Sequence, residues 1–293
     1  MPACVPSLLE SKRTSERASL TRRRLVLGLP AAVAVPAWAQ SGGGRSVVMA
    51  VNEGVTYRVS DDEIRARYAS ISGDLAKLLG ASVQVQPVGH YPTLRQGLAE
   101  RRYDLALVHP AHLSIQAIKI SGYKLVVVTK GFQGYAASFL IRADSPLKSL
   151  SELRGRRLGA PDEDSITSWM VRATMRDTLG AADQVQMQYT RYQDAVPFMV
   201  EHTFTHAGAT ASGAVIRAWQ SQGGKVLAKS KAVPIKHVIV APTLAAQVGR
   251  LREYFTALDG SDDGKKKLTP IGISGYAPFE EAELMKLGTW LGL

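Results

Sequence analysis

Residues 105–129 read LALVHPAHLSIQAIKISGYKLVVVT, and their hydrophobic pattern decides the fold class. Leu105–Val108 and Leu125–Thr129 are short apolar runs rich in leucine and valine, which is typical of buried strands. Ala111–Ile120, between them, has the length and spacing of a helix. A strand, a helix and a second strand in this order predict a βαβ unit and therefore an α/β protein.

The same alternation continues in both directions from this segment. The other predicted strands are 46–51, 83–88, 135–142, 158–160, 185–189, 207–210, 225–228 and 237–240. The other predicted helices are 61–79, 92–102, 165–179, 194–202, 214–220, 244–258 and 279–291. Two α/β series in one chain predict two lobes that face a cleft, with ligands at the carboxyl ends of the strands.

Residues 1–39 have the features of an export signal. Arg22, Arg23 and Arg24 stand directly before an apolar stretch over residues 25–35, which is too short to span a membrane. Ala37-Trp38-Ala39 is a small-x-small cleavage site, so we expect the mature chain to begin at Gln40 and to lie in the periplasm. The paired arginines fit twin-arginine export, and ordinary Sec export is the alternative. The alternative interpretation of residues 1–39 is a buried N-terminal helix, which would not require arginines, an apolar stretch and a cleavage site in this order.

Composition narrows the class of protein. The 293 residues include 36 Lys and Arg against 25 Asp and Glu, and 45% are hydrophobic, which is typical of a globular chain. Removing the predicted signal leaves 30 basic and 23 acidic residues, a net charge of +7 that suits small anionic ligands. The sequence shows no nucleic-acid-binding motif. Its one cysteine, Cys4, excludes a disulfide scaffold and a cysteine-based metal site.

Four predicted strand-to-helix turns carry polar side chains. In the turn at 164–169, Ser165, Thr167 and Ser168 would bring hydroxyls and backbone N–H groups to one helix N-terminus, which favours anions. Plain N-capping by Ser165 or Asp164 is the alternative. The three acidic residues at 162–164 count against an anion site unless they point away.

The other three turns are at 89–93, 108–112 and 210–212. Tyr91 could close over a ligand, His109 is placed to face the cleft, and Thr210 either lines the site or caps the next helix. The histidine pairs 109/112 and 202/206 could bind a metal, but neither has a carboxylate in a suitable pattern. The alternative for His112 and His202 is simple placement on a helix surface.

Motifs for catalysis and cofactors are missing from the sequence. There is no G-x-S-x-G, no phosphate-binding loop of the G-x-x-x-x-G-K-[ST] type and no G-x-G-x-x-G. No pair of carboxylates has a spacing that indicates acid–base catalysis. We therefore expect a binding protein, with no cofactor and no metal, rather than an enzyme. An exported enzyme that uses the histidines or a metal is the less favoured alternative.

The order of several segments resembles the periplasmic phosphate-, phosphite- and phosphonate-binding proteins of ABC importers. The matching segments are 91–98 (YPTLRQGL), 103–110 (YDLALVHP), 150–161, 166–168 (ITS) and 206–210 (HAGAT). The resemblance runs through nearly all of residues 46–290.

The resemblance implies which residues hold the ligand. An S-T-S-type turn of the family corresponds to Thr167 and Ser168, with Ile166 in place of the first serine and Ser165 as its substitute. The family's aromatic residue corresponds to Tyr91, and His109 lies in a turn that lines the cleft. Trp169 replaces a usual glycine and would crowd the pocket. No acidic residue near Thr210 matches those that bind an amine, so an amine-bearing ligand is not expected.

The resemblance also implies the architecture and the partner. It implies the type II periplasmic-binding fold, with lobe 1 at 46–137 plus 238–293 and lobe 2 at 138–237. The chain would cross between the lobes near 135–140 and 234–237, and the lobes would close by a hinge motion. The implied partners are a small phosphorus oxyanion and an ABC permease, and we expect a monomer. The alternative is a ligand-sensing receptor domain of the same fold for another small anion or a heterocycle.

Overall fold

The computed structural model describes residues 45–54 and 59–293, so the predicted export signal, its cleavage site and Cys4 lie outside the described residues. Within these ranges the strands are β1 (Ser46–Val51), β2 (Ser82–Pro87), β3 (Leu105–Val108), β4 (Lys124–Thr129), β5 (Ser138–Ile141), β6 (Arg157–Ala160), β7 (Gln186–Tyr189), β8 (Ala207–Thr210), β9 (Lys225–Lys229), β10 (His237–Val240) and β11 (Tyr276–Ala277). The helices are α1 (Asp61–Leu79), α2 (Tyr91–Ala99), α3 (Ala111–Ser121), α4 (Ile166–Leu179), α5 (Val196–Glu201), α6 (Gly213–Ser221), α7 (Val248–Ala257), α8 (Asp262–Leu268) and α9 (Glu281–Leu291). The predicted α/β class is confirmed.

The strands form two separate sheets. The first has the order β11-β4-β10-β3-β1-β2, and β1 runs parallel to both β2 and β3. The second has the order β7-β6-β8-β5-β9, and β6 runs parallel to both β7 and β8. In each sheet the parallel strands therefore end at one common edge, where the turns singled out in the sequence lie.

The chain passes between the sheets twice. It leaves the first sheet after β4 and returns to it at β10. The two passing segments touch at one antiparallel bridge between Tyr135 and Val233, where the Val233 N–H donates to the Tyr135 carbonyl at 2.8 Å.

Apolar side chains fill both faces of the first sheet. One cluster combines residues of both sheets, such as Ala106 and Phe139, with side chains of α3, α4 and α9. A second cluster lies on the other face of the first sheet, where Ile71, Leu251 and Leu268 come from α1, α7 and α8.

The last helix, α9, contacts groups that belong to both sheets. At its start, the Glu281 carboxylate accepts the backbone N–H of Leu125 in β4 at 2.8 Å. At its end, the Trp290 indole N–H donates to Asp177 of α4 at 2.9 Å, and the Arg176 guanidinium donates to the Trp290 carbonyl. The helix thus fastens the first sheet to the helix that follows β6.

Helix boundaries follow capping chemistry that the sequence shows. Ser60 caps α1 by accepting from the Glu63 N–H, and Gly80 ends it with φ at 61°. The starts of two helices differ from the prediction. The predicted helix 244–258 begins instead with a 3-10 segment, Pro242–Gln247, before α7, and the predicted helix 194–202 likewise begins as a 3-10 turn before α5.

Candidate functional site

The N-terminus of α4 lies at the carboxyl end of β6. Ser165 is its N-cap and accepts the Ser168 N–H at 3.2 Å. The Ser165 hydroxyl in turn donates to Ser168 Oγ at 3.2 Å, and the Ser168 hydroxyl donates to the Pro161 carbonyl at 3.0 Å. The hydrogens of both serines are therefore used to hold the turn together, so N-capping describes what Ser165 does in this structure.

Thr167 belongs to a different set of contacts, which we call the hydroxyl network: Tyr135, Thr167, Gln193 and Thr210. The Tyr135 hydroxyl lies 3.2 Å from Thr167 Oγ1 and accepts the Gln193 amide N–H at 3.0 Å. Gln193 Oε1 accepts both the Thr210 hydroxyl at 3.0 Å and the Ala211 N–H at 2.7 Å. The network joins the turns after β6, β7 and β8 to the first segment that passes between the sheets.

The Tyr135–Thr167 pair has one hydroxyl hydrogen more than it uses. Tyr135 and Thr167 have two hydroxyl hydrogens but share one hydrogen bond, in which either oxygen can be the donor. Gln193 donates to Tyr135, so it takes neither hydrogen. Among the residues that the structure describes, one hydroxyl hydrogen of this pair thus has no acceptor. Because Thr167 is 1% exposed, this spare donor lies in a largely dehydrated position, where an anion would bind it strongly.

A second group of side chains joins the two sheets at the same turn, and we call it the Asp164 cluster: Tyr91, Arg95, His112, Asp164 and Trp169. Arg95 of α2 donates to both Asp164 oxygens, at 2.9 and 2.7 Å. The Trp169 ring stacks on His112 of α3 with the ring centroids 5.7 Å apart, and Tyr91 meets His112 edge-on at 6.4 Å. Trp169 therefore occupies space beside the turn, and its crowding of a ligand pocket stays a prediction.

The charges of the Asp164 cluster are balanced across the two sheets. Burial alone would raise the pKa of Asp164, but the close approach of His112 Nε2 and the hydrogen bonds and positive charge of Arg95 outweigh this and lower it. Asp164 points toward Arg95 and does not add an uncompensated negative charge to the turn. Burial lowers the pKa of His112, although the carboxylate of Asp164 works in the opposite direction.

His112 does not lie on a helix surface, which was the alternative for this residue. It is 0% exposed. Its Nε2 lies 3.3 Å from Asp164 Oδ1 without the alignment of a hydrogen bond, and neither ring nitrogen has a hydrogen-bond partner in residues 45–54 and 59–293. The reason is that α3 packs against α2, α9 and the first sheet, and that its first turn is covered by Trp169 of α4.

His109 lies apart from the hydroxyl network. It follows β3, is joined to Pro110 by a cis peptide bond, and its Nδ1 lies 3.2 Å from the Ile235 carbonyl. It lines a cavity of about 30 Å³ together with Glu53 and Lys236, among others. That volume fits about one water molecule, so this cavity is too small for a tetrahedral oxyanion. Burial, with a smaller contribution from Lys236, lowers the pKa of His109 to about 4.

The structure thus divides the six residues expected at the site. It brings Thr167 and Thr210 into one network and Ser165 and Ser168 into one turn, all beside the start of α4. Tyr91 contacts that turn indirectly, through His112. His109 instead contacts the second passing segment.

Sequence reasoning missed Tyr135, Gln193 and Arg95 as members of the site. Tyr135 was placed in a strand, Gln193 directly before a helix, and Arg95 within a helix. The aromatic hydroxyl at the predicted crossing was the available signal for Tyr135. Gln193 and Arg95 are recognisable only from contacts over 17 to 69 residues of sequence.

A metal-binding cluster and a membrane-spanning helix are both absent from the described part of the chain. No group of three or more His, Cys, Asp or Glu side chains there could hold a metal ion. No helix there is long and apolar enough to cross a membrane.

Comparison with known proteins identifies relatives. A family model described as "ABC transporter, phosphonate, periplasmic substrate-binding protein" matches residues 54–284. No curated protein sequence matches the chain.

Solved structures share the fold at low sequence identity. A Xanthomonas citri protein, XAC2383, solved with ATP, is 13% identical, with a TM-score of 0.67 over 85% of this chain and 98% of its own. PhnD1 from Prochlorococcus marinus, solved with methylphosphonate, is 15% identical, with a TM-score of 0.59 over 83% and 96%. The aliphatic sulphonate binding protein SsuA of Escherichia coli is 15% identical, with a TM-score of 0.54 over 83% and 89%. These neighbours confirm the type II periplasmic-binding fold.

Proposed function

This chain belongs to the family of periplasmic substrate-binding proteins of phosphonate ABC transporters, and from that membership we propose that it captures a small phosphorus oxyanion for import. The ligand class is a phosphonate, phosphite or phosphate. The proposed site lies between lobe 1 (46–137 plus 238–293) and lobe 2 (138–237), at the start of α4. Its partner is the family's ABC permease, and the chain would reach the periplasm through the predicted signal at 1–39. In this role it binds and releases its ligand unchanged.

The spare hydroxyl hydrogen of the Tyr135–Thr167 pair is the observation that carries the proposal. An oxyanion needs donors, and this one stands at the N-terminus of a 14-residue helix, where the partial positive charge of the backbone favours an anion. Gln193 fixes the orientation of Tyr135, so the donor is in place before the ligand arrives. The Arg95–Asp164 pair adds no net charge, so the backbone and the hydroxyls provide the attraction.

The first test is titration of the purified protein by calorimetry. The ligands are phosphate, phosphite, methylphosphonate and 2-aminoethylphosphonate, with methanesulphonate as the matched sulphur oxyanion. We expect one-to-one binding of at least one of the first three, and weaker binding of 2-aminoethylphosphonate, whose amine lacks a carboxylate partner. Binding of methanesulphonate alone would show that the ligand class is wrong. No binding at all would overturn the proposed function.

The site is tested with Thr167→Val and Tyr135→Phe, singly and together. Each single variant keeps one hydroxyl of the Tyr135–Thr167 pair, whereas the double variant has neither hydroxyl. Loss of a hydrogen bond to a charged group costs about 1.5–3 kcal/mol, so we expect affinity to fall by about tenfold to a hundredfold in the double variant. Thr174→Val is the control, since Thr174 lies on the same helix and donates to the Met170 carbonyl at 2.8 Å. Equal affinity in the double variant and the parent would refute the site assignment.

A further inference from the structure

A second cavity lies at the opposite end of the strands that carry the hydroxyl network. Its volume is about 270 Å³. It is lined by the first residue of β6, by residues that directly precede β8 and by residues that follow β5. The turn with Thr167 follows the carboxyl end of β6, so this cavity and the hydroxyl network are separated by the length of the strand. We call this cavity the basic pocket.

Basic side chains line the pocket because the strand register brings them side by side. In the second sheet, Leu158 of β6 pairs with Ala207 of β8, so Arg157 and His206 stand one position earlier on adjacent strands. Leu140 of β5 pairs with Gly208 of β8, and continuing that antiparallel register by two residues brings Arg142 level with His206. Neighbouring strands are about 4.8 Å apart, so the three side chains form one row. Arg156 lines the same pocket.

The positive charge of this pocket is poorly compensated. No Asp or Glu is among its lining residues. Arg142 contacts Asp144 at 3.0 Å, but the Asp144 side chain is 76% exposed, so water weakens that pair. Arg157 donates to the Thr203 carbonyl at 3.4 Å. The Arg156 side chain has neither a hydrogen bond nor an ion pair within the described residues, and only its backbone is paired.

A buried polar group in the lining also lacks a partner. Thr205 is 2% exposed, and its hydroxyl has no hydrogen-bond partner in the part of the chain that the structure describes. Its oxygen has less than 1 Å² of accessible surface and lies beside Gly159 of β6, where a Cβ would be 3.2 Å away, so it faces the interior and does not contact a ligand in the pocket. The three arginines therefore supply the attraction of this pocket for an anion.

We propose that the basic pocket binds a compact polyanion with about three negative charges, of the pyrophosphate type. Three guanidinium groups match three negative charges, and each can bind a phosphate group through two parallel hydrogen bonds. A cavity of 270 Å³ holds about nine waters at the volume of liquid water, which is room for more than one phosphate group. This site shares no residue with the hydroxyl network, so it does not depend on the proposed function.

Calorimetric titration of the full chain with pyrophosphate tests the proposal. We expect saturable one-to-one binding that weakens as salt rises, since the attraction is partly screened. The variant Arg156→Gln with Arg157→Gln should weaken it at least tenfold, and Arg142→Gln, which leaves β6 unchanged, should weaken it as well. Arg217→Gln removes one charge from an exposed position on α6 of the same sheet and should change affinity less than twofold.

The outcomes separate this site from the one at α4. Retention of pyrophosphate binding by the double variant Thr167→Val with Tyr135→Phe supports the basic pocket. Loss of binding in that variant, with no change in the arginine variants, would place pyrophosphate at the hydroxyl network and overturn the proposal. Equal loss in Arg217→Gln would show that only net charge matters, and absence of binding by the folded parent would also overturn it.

Discussion

Two buried histidines hold the backbone of the second segment that passes between the sheets. His237 Nε2 lies 2.9 Å from the Pro234 carbonyl, and His109 Nδ1 lies 3.2 Å from the Ile235 carbonyl. A carbonyl only accepts, so each of these nitrogens carries the hydrogen of a neutral ring. Ser114 Oγ lies against the other nitrogen of His237, Nδ1, and also lies 2.8 Å from the Ala111 carbonyl, so the one hydroxyl hydrogen of Ser114 is shared between these two acceptors when the ring is neutral. Neutral imidazoles therefore suit both positions.

The neutral histidines predict how stability depends on pH. Burial, with a smaller contribution from the neighbouring His109, lowers the pKa of His237 from 6.5 to about 4, although the hydrogen bond to the Pro234 carbonyl works in the opposite direction. Between pH 6.5 and 4 the unfolded chain binds more protons, so the stability contribution is complete above pH 6.5 and is lost as pH falls. At 1.36 kcal/mol per pKa unit, the loss for His237 is up to about 3 kcal/mol. Urea unfolding from pH 7 to 4.5 should show this slope, reduced in His237→Gln; an identical slope in both proteins would contradict the assignment.

Gly54 is placed against the ring of His109 and has a backbone conformation that other residues avoid. Its φ is +105°, and a Cβ there would lie 2.9 Å from His109 Cδ2. We expect Gly54→Ala to lower the free energy of unfolding by about 1–3 kcal/mol, because it adds both strain and a clash. Gly89→Ala is the control, since a Cβ at Gly89 meets nothing within 4 Å. Similar urea midpoints for the two variants would show that the His109 ring moves aside freely.

At the scale of elements, α2 and the turn before α4 are joined by the Arg95–Asp164 ion pair. Asp164 has a lowered pKa, so its contribution is present above the ordinary carboxyl pKa of about 4 and is lost as pH falls through the folded value. Its side chain is 36% exposed, so solvent screening limits the contribution to about 1 kcal/mol.

Asp164→Asn tests the joint between these two elements. We expect a decrease of about 1 kcal/mol or less in unfolding free energy at pH 7, and no difference from the parent at strongly acidic pH. Asp144→Asn breaks a more exposed pair and should have a smaller effect at pH 7. Urea unfolding at both pH values measures this. If Asp144→Asn lowers the free energy of unfolding as much as Asp164→Asn does, the Arg95–Asp164 pair stabilises the protein no more than an exposed ion pair.

The elements that the sequence predicted are those whose apolar residues repeat with a clear period. α1 and β3 have such repeats and were located to within a residue. α8, with the sequence DDGKKKL, has one apolar residue and was not predicted. It forms because Ser261 caps it and because Gly264 packs on the Leu258 carbonyl, where a Cβ would lie 1.9 Å from the oxygen. Neither cause leaves a periodic pattern.

The candidate site was predictable in part for a related reason. The turn at 165–168 was located because a strand end, hydroxyls and a helix start follow each other in sequence. The hydroxyls of Thr167 and Thr210 are joined through Tyr135 and Gln193, which reach the site from the first passing segment and from the turn after β7. Such long-range hydrogen bonds depend on the register of the second sheet, which a single sequence does not specify.

At the scale of the whole molecule, α9 is the contact to consider when the two sheets move relative to each other. It is fastened to β4 through Glu281 and to α4 through Trp290, whose ring also lies 5.3 Å from the Lys231 ammonium. A hinge at the two passing segments would leave α9 as a strap across the moving parts. In such a hinge motion, closure would be limited by how far the Trp290 end of α9 can follow α4.

Trp290→Ala removes the side-chain contacts between α9 and Asp177 of α4 and keeps the Glu281 contact at the other end of α9. We expect the free energy of unfolding to fall by about 1–2 kcal/mol, since a partly exposed ring and one hydrogen bond are lost. Hydrogen exchange should increase in the last two turns of α4, near Asp177, and stay unchanged in β4, because Glu281 still holds that end. Trp290→Phe retains a ring without the N–H and should give a smaller increase. If exchange in α4 is unchanged while stability falls, the contact of α9 with α4 does not hold α4 in place, and α9 would not limit closure.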